Sequence, residues 1–336
     1  QLELQQVDYS LGKYSASIES KWRSLDEDRI AIDIIISEGV SATIKTINIV
    51  GNANFEEEEL LDVFQLETTS SGFFADDEYS SSKLSADLES LKSYYLDRGY
   101  IQFQVNSQQV TISPDRKDIS LSINIFEGEQ FAISSIDLAG EMVVDANELR
   151  ALISFRDGDI FSRKEINKAI TSMQKRLGEA GYAFAQVRLR TEPDEENRTV
   201  ALQFLVESGK KMRVRYINFN GNEKTQNEVL RRELRQLEGE VYQSSKVDRS
   251  KVRLQRLNYI GSVDIKPKRV PGADDQVDLD IAVTERFSGN LSVGAGFAQQ
   301  QGVIFQLGFK HENIFGTGNS IDLGFDNSAS LERYSF

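Results

Sequence analysis

The chain has 336 residues, 39% hydrophobic and 27% charged, with a formal net charge of -14. That is the composition of folded protein, and its acidity argues against nucleic acid as a partner, because phosphate recognition needs clustered Lys and Arg. With no cysteine and one histidine, disulfides, thiol nucleophiles, His-based triads and Cys/His zinc sites are excluded or nearly so; no apolar run approaches the roughly 18 residues that a membrane helix needs.

In chain order, the first signal is Leu2, Leu4, Val7 and Leu11 at helical spacing, which predicts that the sequence opens inside a helix, part-way through a module. A repeated punctuation follows. Gly12 to Tyr14, Glu38-Gly39 and Gly51-Asn52 form one set; Gly99-Tyr100, Glu127-Gly128 and Gly140 a second; Gly181-Tyr182, Glu207 with Gly209, and Gly221-Asn222 a third. Tyr259, Glu285 and Gly289 fill the same slots more loosely. A period of about 80 to 90 residues marks an array of small supersecondary units.

The stretch from Ile44 onward shows how one unit is written. Ile44, Thr46, Ile47 and Ile49 read as a short strand that Gly51-Asn52 ends. Asn54 with Glu57 predicts a capping box, and the acidic run from Glu56 to Glu59 suits a first helical turn. A second helix is predicted from about Ser80 to Arg98, with Leu84, Leu88, Leu91 and Tyr95 at steps of three and four and Gly99 as its C-cap. Ile101, Phe103 and Val105 alternate with Gln102, Gln104 and Asn106 as a half-buried strand, which Ser113-Pro114-Asp115 turns into another ending at Ile125. The order is β-α-α-β-β. Asp145 with Glu148, Thr225 with Glu228, and Ser162 with Glu165 repeat the capping box in later copies.

From Leu291 the pattern changes. Leu291, Val293, Ala295 and Phe297, then Val303, Phe305, Leu307 and Phe309, then Ile321, Leu323 and Phe325, alternate with small or polar residues, the signature of transmembrane β-barrel strands. A soluble hairpin gives a similar pattern, and three or four strands do not close a barrel. The expected division is 1–39, 40–128, 129–209, 210–286 and 287–336, in an α+β class.

Catalysis is not expected. His311 falls at a strand end, and the carboxylate clusters at Glu56 to Glu59, Asp194 to Glu196 and Asp274-Asp275 fall at helix starts or hairpin turns, where they read as solvated surface. Gly316 and Gly318 open no helix, so they form no phosphate loop, and neither cofactor, metal nor nucleotide is implied. Binding is better marked. The penultimate strand of such a module lies at a sheet edge, which proteins guard with charge or proline. Lys21 and Arg23, Arg188 and Arg190, and Lys266, Pro267 and Lys268 guard three copies, but residues 101–112 carry neither. Ile101, Gln102, Phe103, Gln104, Val105, Asn106, Gln108 and Val110 are therefore the candidate edge for β-augmentation by an extended client; the plainer reading is an edge covered by a neighbouring module. A second candidate is a helix from Glu228 to Leu237 bearing Arg231, Arg232, Glu233 and Arg235, followed by Glu238, which also reads as a solvated helix laced with ion pairs.

The module order and its punctuation resemble the POTRA domain. Longer stretches, SEGVSATIKTINIVGNANF (37–55), LESLKSYYLDRGY (88–100), LRRELRQLEG (230–239) and RVPGADDQVDLDIAVT (269–284), are similar to outer membrane protein assembly factors. The resemblance spans the chain. It implies the end of a second POTRA domain, the third to fifth, three-stranded mixed sheets with two helices on one face, and the first strands of an outer-membrane β-barrel. It further implies a Gram-negative outer membrane with the modules in the periplasm, and as partners unfolded outer-membrane protein precursors, membrane lipids, and accessory lipoproteins such as BamD, docked by Arg231, Arg232, Arg235 and Glu238. The alternative it leaves is a two-partner secretion transporter, a class with fewer modules.

Overall fold

The computed structural model describes residues 9–10, 12–14, 16–26, 29–38, 41–68, 77–298, 302–328 and 331–335. The predicted opening helix lies mostly outside them. The chain forms two compact units, 1–137 with 153–168 and 190–203, and 138–152 with 169–189 and 204–336.

The first unit begins with an antiparallel ribbon of β1 (Ser17–Asp26) and β2 (Arg29–Ser37). A complete module follows: β3 (Thr43–Val50), α1 (Glu57–Leu61), α2 (Ser81–Leu96), β4 (Gln104–Ile112) and β5 (Asp118–Phe126). Its sheet order is β3-β5-β4, with β3 parallel and β4 antiparallel to β5. Because parallel neighbours need a crossover, both helices are spent between β3 and the returning hairpin. Ile119, Leu121, Ile123 and Ile125 of β5 alternate into a core with Leu60, Leu84, Leu91 and Tyr95.

The element order recurs twice. β6 (Ala132–Gly140), α3 (Ala146–Arg150), α4 (Arg163–Glu179), β7 (Gln186–Asp194) and β8 (Thr199–Glu207) give sheet order β6-β8-β7. In the second unit, β9 (Arg213–Asn220), α5 (Asn227–Arg231), α6 (Ser244–Gln255), β10 (Ile260–Val270) and β11 (Ala273–Glu285) give β10-β11-β9 around a core of its own. A separate antiparallel sheet of β12 (Gly289–Ala298), β13 (Gly302–His311), β14 (Ile321–Ser328) and β15 (Leu331–Ser335) follows in that order.

Two of the punctuation marks meet in space. The Glu127 carboxylate, after β5, accepts from the Asn54 backbone and side-chain nitrogens and from the Tyr95 hydroxyl. Glu285, ending β11, accepts from the amides of Lys224 (3.0 Å) and Thr225 (2.7 Å). Each strand-end glutamate thus holds the loop that launches the first helix. This overturns two of the expected capping boxes: α1 and α5 have Glu56 and Gln226 at their N-caps with no side-chain cap bond. Glu57 instead accepts from the Ile49 amide at 2.7 Å. A full charge reaching across from the last strand outcompetes a local cap for those amides. The middle copy differs. Asp145 does cap α3 through the Asn147 amide at 2.9 Å, and Ser162 accepts from the Glu165 amide at 3.4 Å, while Glu148 and Glu165 turn to Arg176 and to Ser154 with Lys168.

The third mark, Gly-Tyr, builds the joints. The carbonyl of Gly12 accepts from the Ala42 amide (2.9 Å), that of Gly99 from Phe131 (2.9 Å), and that of Gly181 from Met212 (2.8 Å). Each first residue of the next module then accepts, through its own carbonyl, from Tyr79, Phe161 or Tyr242 ahead of the second helix. The helices add a charged contact: Asp97, the C-cap of α2, accepts from the Lys164 amide in the first turn of α4, and Glu179, ending α4, accepts from the Ser245 amide and hydroxyl. Burial works to raise the pKa of Glu179, but the Ser245 and Ser244 hydrogen bonds outweigh it and hold the carboxyl below its ordinary range. A depressed carboxylate stabilises above its unfolded pKa and loses that contribution as pH falls through the folded one. Hydrogen exchange at Ser245 should therefore accelerate as pH drops below about 4.3, beyond the intrinsic trend, and this extra pH dependence should vanish in Glu179→Gln.

Candidate functional site

β4 is an outer strand of its sheet. The strand starts at Gln104 rather than Ile101, which corrects the first three of the eight candidate edge residues. Ile101 lies in a turn, Gln102 donates its side-chain amide to Glu195 at 3.1 Å, and Phe103, 5% exposed, stacks on Tyr95 at 4.3 Å between ring centroids. Tyr95 is itself part of the Glu127 clamp, so packing fixes Phe103 before the strand begins. Gln104 and Val105 pair with Phe126 and Ile125, and the register then slips past Asn106, whose side chain donates to Asn124 at 3.1 Å. Such a bulge twists an edge away from a partner. Regular pairing resumes from Ser107 through Gln108 and Val110 to Ile112. The available edge is therefore residues 107–112.

The other outer strand of the module is closed. Ile44 donates to the Asp77 carbonyl, Thr43 bridges Glu78, and Glu57 takes the Ile49 amide. The charges expected to guard the other penultimate strands are partnered: Arg188 with Glu207, Arg190 with Glu192, Lys266 with Asp264 and Lys268 with Asp280.

The charged segment near Arg231 also differs from its expected form. Helix α5 ends at Arg231, and the chain turns, because Ser250 on α6 accepts from the Arg235 (2.8 Å) and Gln236 (3.3 Å) amides and the buried Gln236 side chain binds Val241 and Gln243. Glu238 accepts from the Ile217 amide (2.8 Å) and from Arg231 (3.1 Å), while Arg231 donates to the Ile217 carbonyl. That pair seals the edge of β9. Arg235 donates to the Leu234 carbonyl. Arg232 faces Glu233, and its guanidinium fills the space beside Gly318, where a Cβ would lie 2.5 Å from it.

Sequence reasoning did not find what Arg232 faces there. The turn between β13 and β14 is seated on the start of α5: Asn313 donates to the Thr225 hydroxyl (2.8 Å), and the Gly316 carbonyl accepts from the Gln226 amide (3.0 Å). A Cβ on Gly316 would meet the Lys224 carbonyl at 1.9 Å, so only glycine fits. The pattern Phe315-Gly-Thr-Gly-Asn marked a turn, and the doubled glycine was the available sign of a close approach. Phe315 is held at φ 51° and 87% exposed, near Phe287 at 84%. In the sheet itself, Leu291, Val293, Phe297, Phe305, Leu307 and Leu323 are all exposed, and the register places them on one face.

A model of the POTRA family, described as a surface antigen variable number repeat, matches residues 42–128, 131–209 and 212–286. The outer membrane protein assembly factor BamA of Neisseria meningitidis serogroup B is 32% identical over 317 residues, covering 93% of this chain and 40% of that protein. BamA of Buchnera aphidicola is 32% identical over 294 residues, covering 87% and 48%. The chain thus spans less than half the length of these curated relatives. The crystal structure of Haemophilus influenzae BamA POTRA3-5 superposes with a TM-score of 0.67 at 28% identity, covering 73% of this chain and 96% of that one. Three consecutive matches, on the three modules with one element order and one joint, show that the chain belongs to the POTRA family.

Proposed function

We propose that the chain is the periplasmic arm and the first barrel strands of an outer membrane protein assembly factor. It receives unfolded barrel precursors along β4, docks accessory lipoproteins such as BamD on the third described module, and meets outer-membrane lipid through the exposed face of β12 to β15. In this reading residues 1–39 close a second POTRA domain, 40–128, 129–209 and 210–286 are the third to fifth, and 287–336 begin the barrel. The observation that carries it is the sheet that exposes Leu291, Val293, Phe297, Phe305, Leu307 and Leu323 on one face, directly after three matched modules; lipid is the solvent that suits such a face. Phe287 and Phe315 suit the aromatic band at its boundary. The named relatives favour assembly over export of one polypeptide.

Depletion of the full-length protein tests it: many outer-membrane barrels should fall together, whereas loss of one secreted substrate would support the transporter. The edge has its own test. Of adjacent residues in a strand, one amide points to the partner strand and the other outward, so proline at whichever of Gln108 and Gln109 turns its amide outward should leave the module folded. That variant is expected to lose crosslinking to an extended precursor peptide, and retained crosslinking would remove β4 from the mechanism.

A further inference from the structure

Helix α6 and its C-cap residue Arg256 place Arg249, Val252, Arg253 and Arg256 at spacings i, i+3, i+4 and i+7, hence on one stripe. With Arg235 and Asp248 they line a groove of about 360 Å³. Of the nearby acids, Asp248 is paired with Lys175 (2.5 Å), and Glu233 already neutralises Arg253 within the stripe (2.6 Å). Among the described residues neither Arg249 nor Arg256 has an ion-pair partner, and the Nε of Arg253 is buried without a hydrogen bond. Like charges at i, i+4 destabilise a helix, and this helix keeps them in a chain whose net charge is -14. Val252, 47% exposed, sits among the guanidinium groups.

We infer that this groove docks an acidic segment of a partner protein, whose carboxylates take the guanidinium forks of Arg249 and Arg256 and whose apolar side chain covers Val252. Guanidinium pairs carboxylate and phosphate alike; the valine within the stripe favours a peptide, which supplies both kinds of side chain, over a lipid headgroup. The inference deepens the docking role proposed for this module and rests on it, since Arg235 belongs to both surfaces.

The test uses the full-length protein and a fluorescein-labelled helical peptide with glutamates at i, i+4 and i+7 around a leucine. Saturable binding that weakens at least about tenfold in Arg249→Glu/Arg256→Glu, with an unchanged or higher melting temperature, is the expected result. Unchanged affinity in that variant, or no binding at all, overturns the proposal. So does an equal loss of binding to phosphatidylglycerol vesicles, which would make the groove a phosphate surface. Glu238→Gln, assayed for co-purification of BamD, separates the two readings: intact co-purification with peptide binding lost only in the arginine variant sinks the role of Glu238 and leaves the groove standing.

Discussion

Replacing Gly221 by alanine is expected to cost the third module about 3 kcal/mol or more. The residue sits at φ +85°, and a Cβ there would come within 2.2 Å of the Val283 carbonyl oxygen, so the loop before α5 or strand β11 must move. Gly51 against Ile125 and Gly140 against Val206 pose the same 2.2 Å conflict, which makes the effect a property of the repeat. Gly239 and Gly272 separate backbone strain from crowding, because both have positive φ and nothing within 4 Å. Alanine there should cost only about 1 kcal/mol. Denaturant melts of the five variants should fall into these two groups, and equal costs would show that φ alone decides.

Asp87→Ala should be comparably severe in the first module. The side chain is fully buried and its two oxygens accept from the Gln65 (2.7 Å) and Leu66 (3.0 Å) amides. Removing it orphans both at once, for a total of about 3 kcal/mol. Asparagine keeps one acceptor and turns a donor toward the other amide, so it should fall between. Hydrogen exchange at Gln65 and Leu66 gives a local readout, and protection retained in Asp87→Ala would mean that water replaces the carboxylate without cost.

The module order was legible because hydrophobic spacing and glycine placement are local signals: β5 alternates as written, and Gly99 ends the turn after α2 at φ +94°. What failed was local reasoning applied to groups with distant suitors. Asn54 and Thr225 look like caps until Glu127 and Glu285 arrive from strands at the far end of the module, and α5 looks long until Ser250 catches the amides that follow it. The candidate edge shrank for a related reason. Alternation registers which residues are apolar, but neither the Tyr95 ring under Phe103 nor the slip at Asn106 is written in a period of two.

The joints have a consequence for how such a chain changes over generations. The bonds common to all three use main-chain atoms alone: a glycine carbonyl on one side, an amide and a carbonyl on the other. A connector made of backbone does not ask which side chains its neighbour carries, so a unit inserted or deleted in frame meets the same plug and socket. In-frame removal of residues 129–209 should bring Met212 to Gly99 with that connection intact. Copy number is then free to drift while each unit specialises, which is what a variable-number repeat requires.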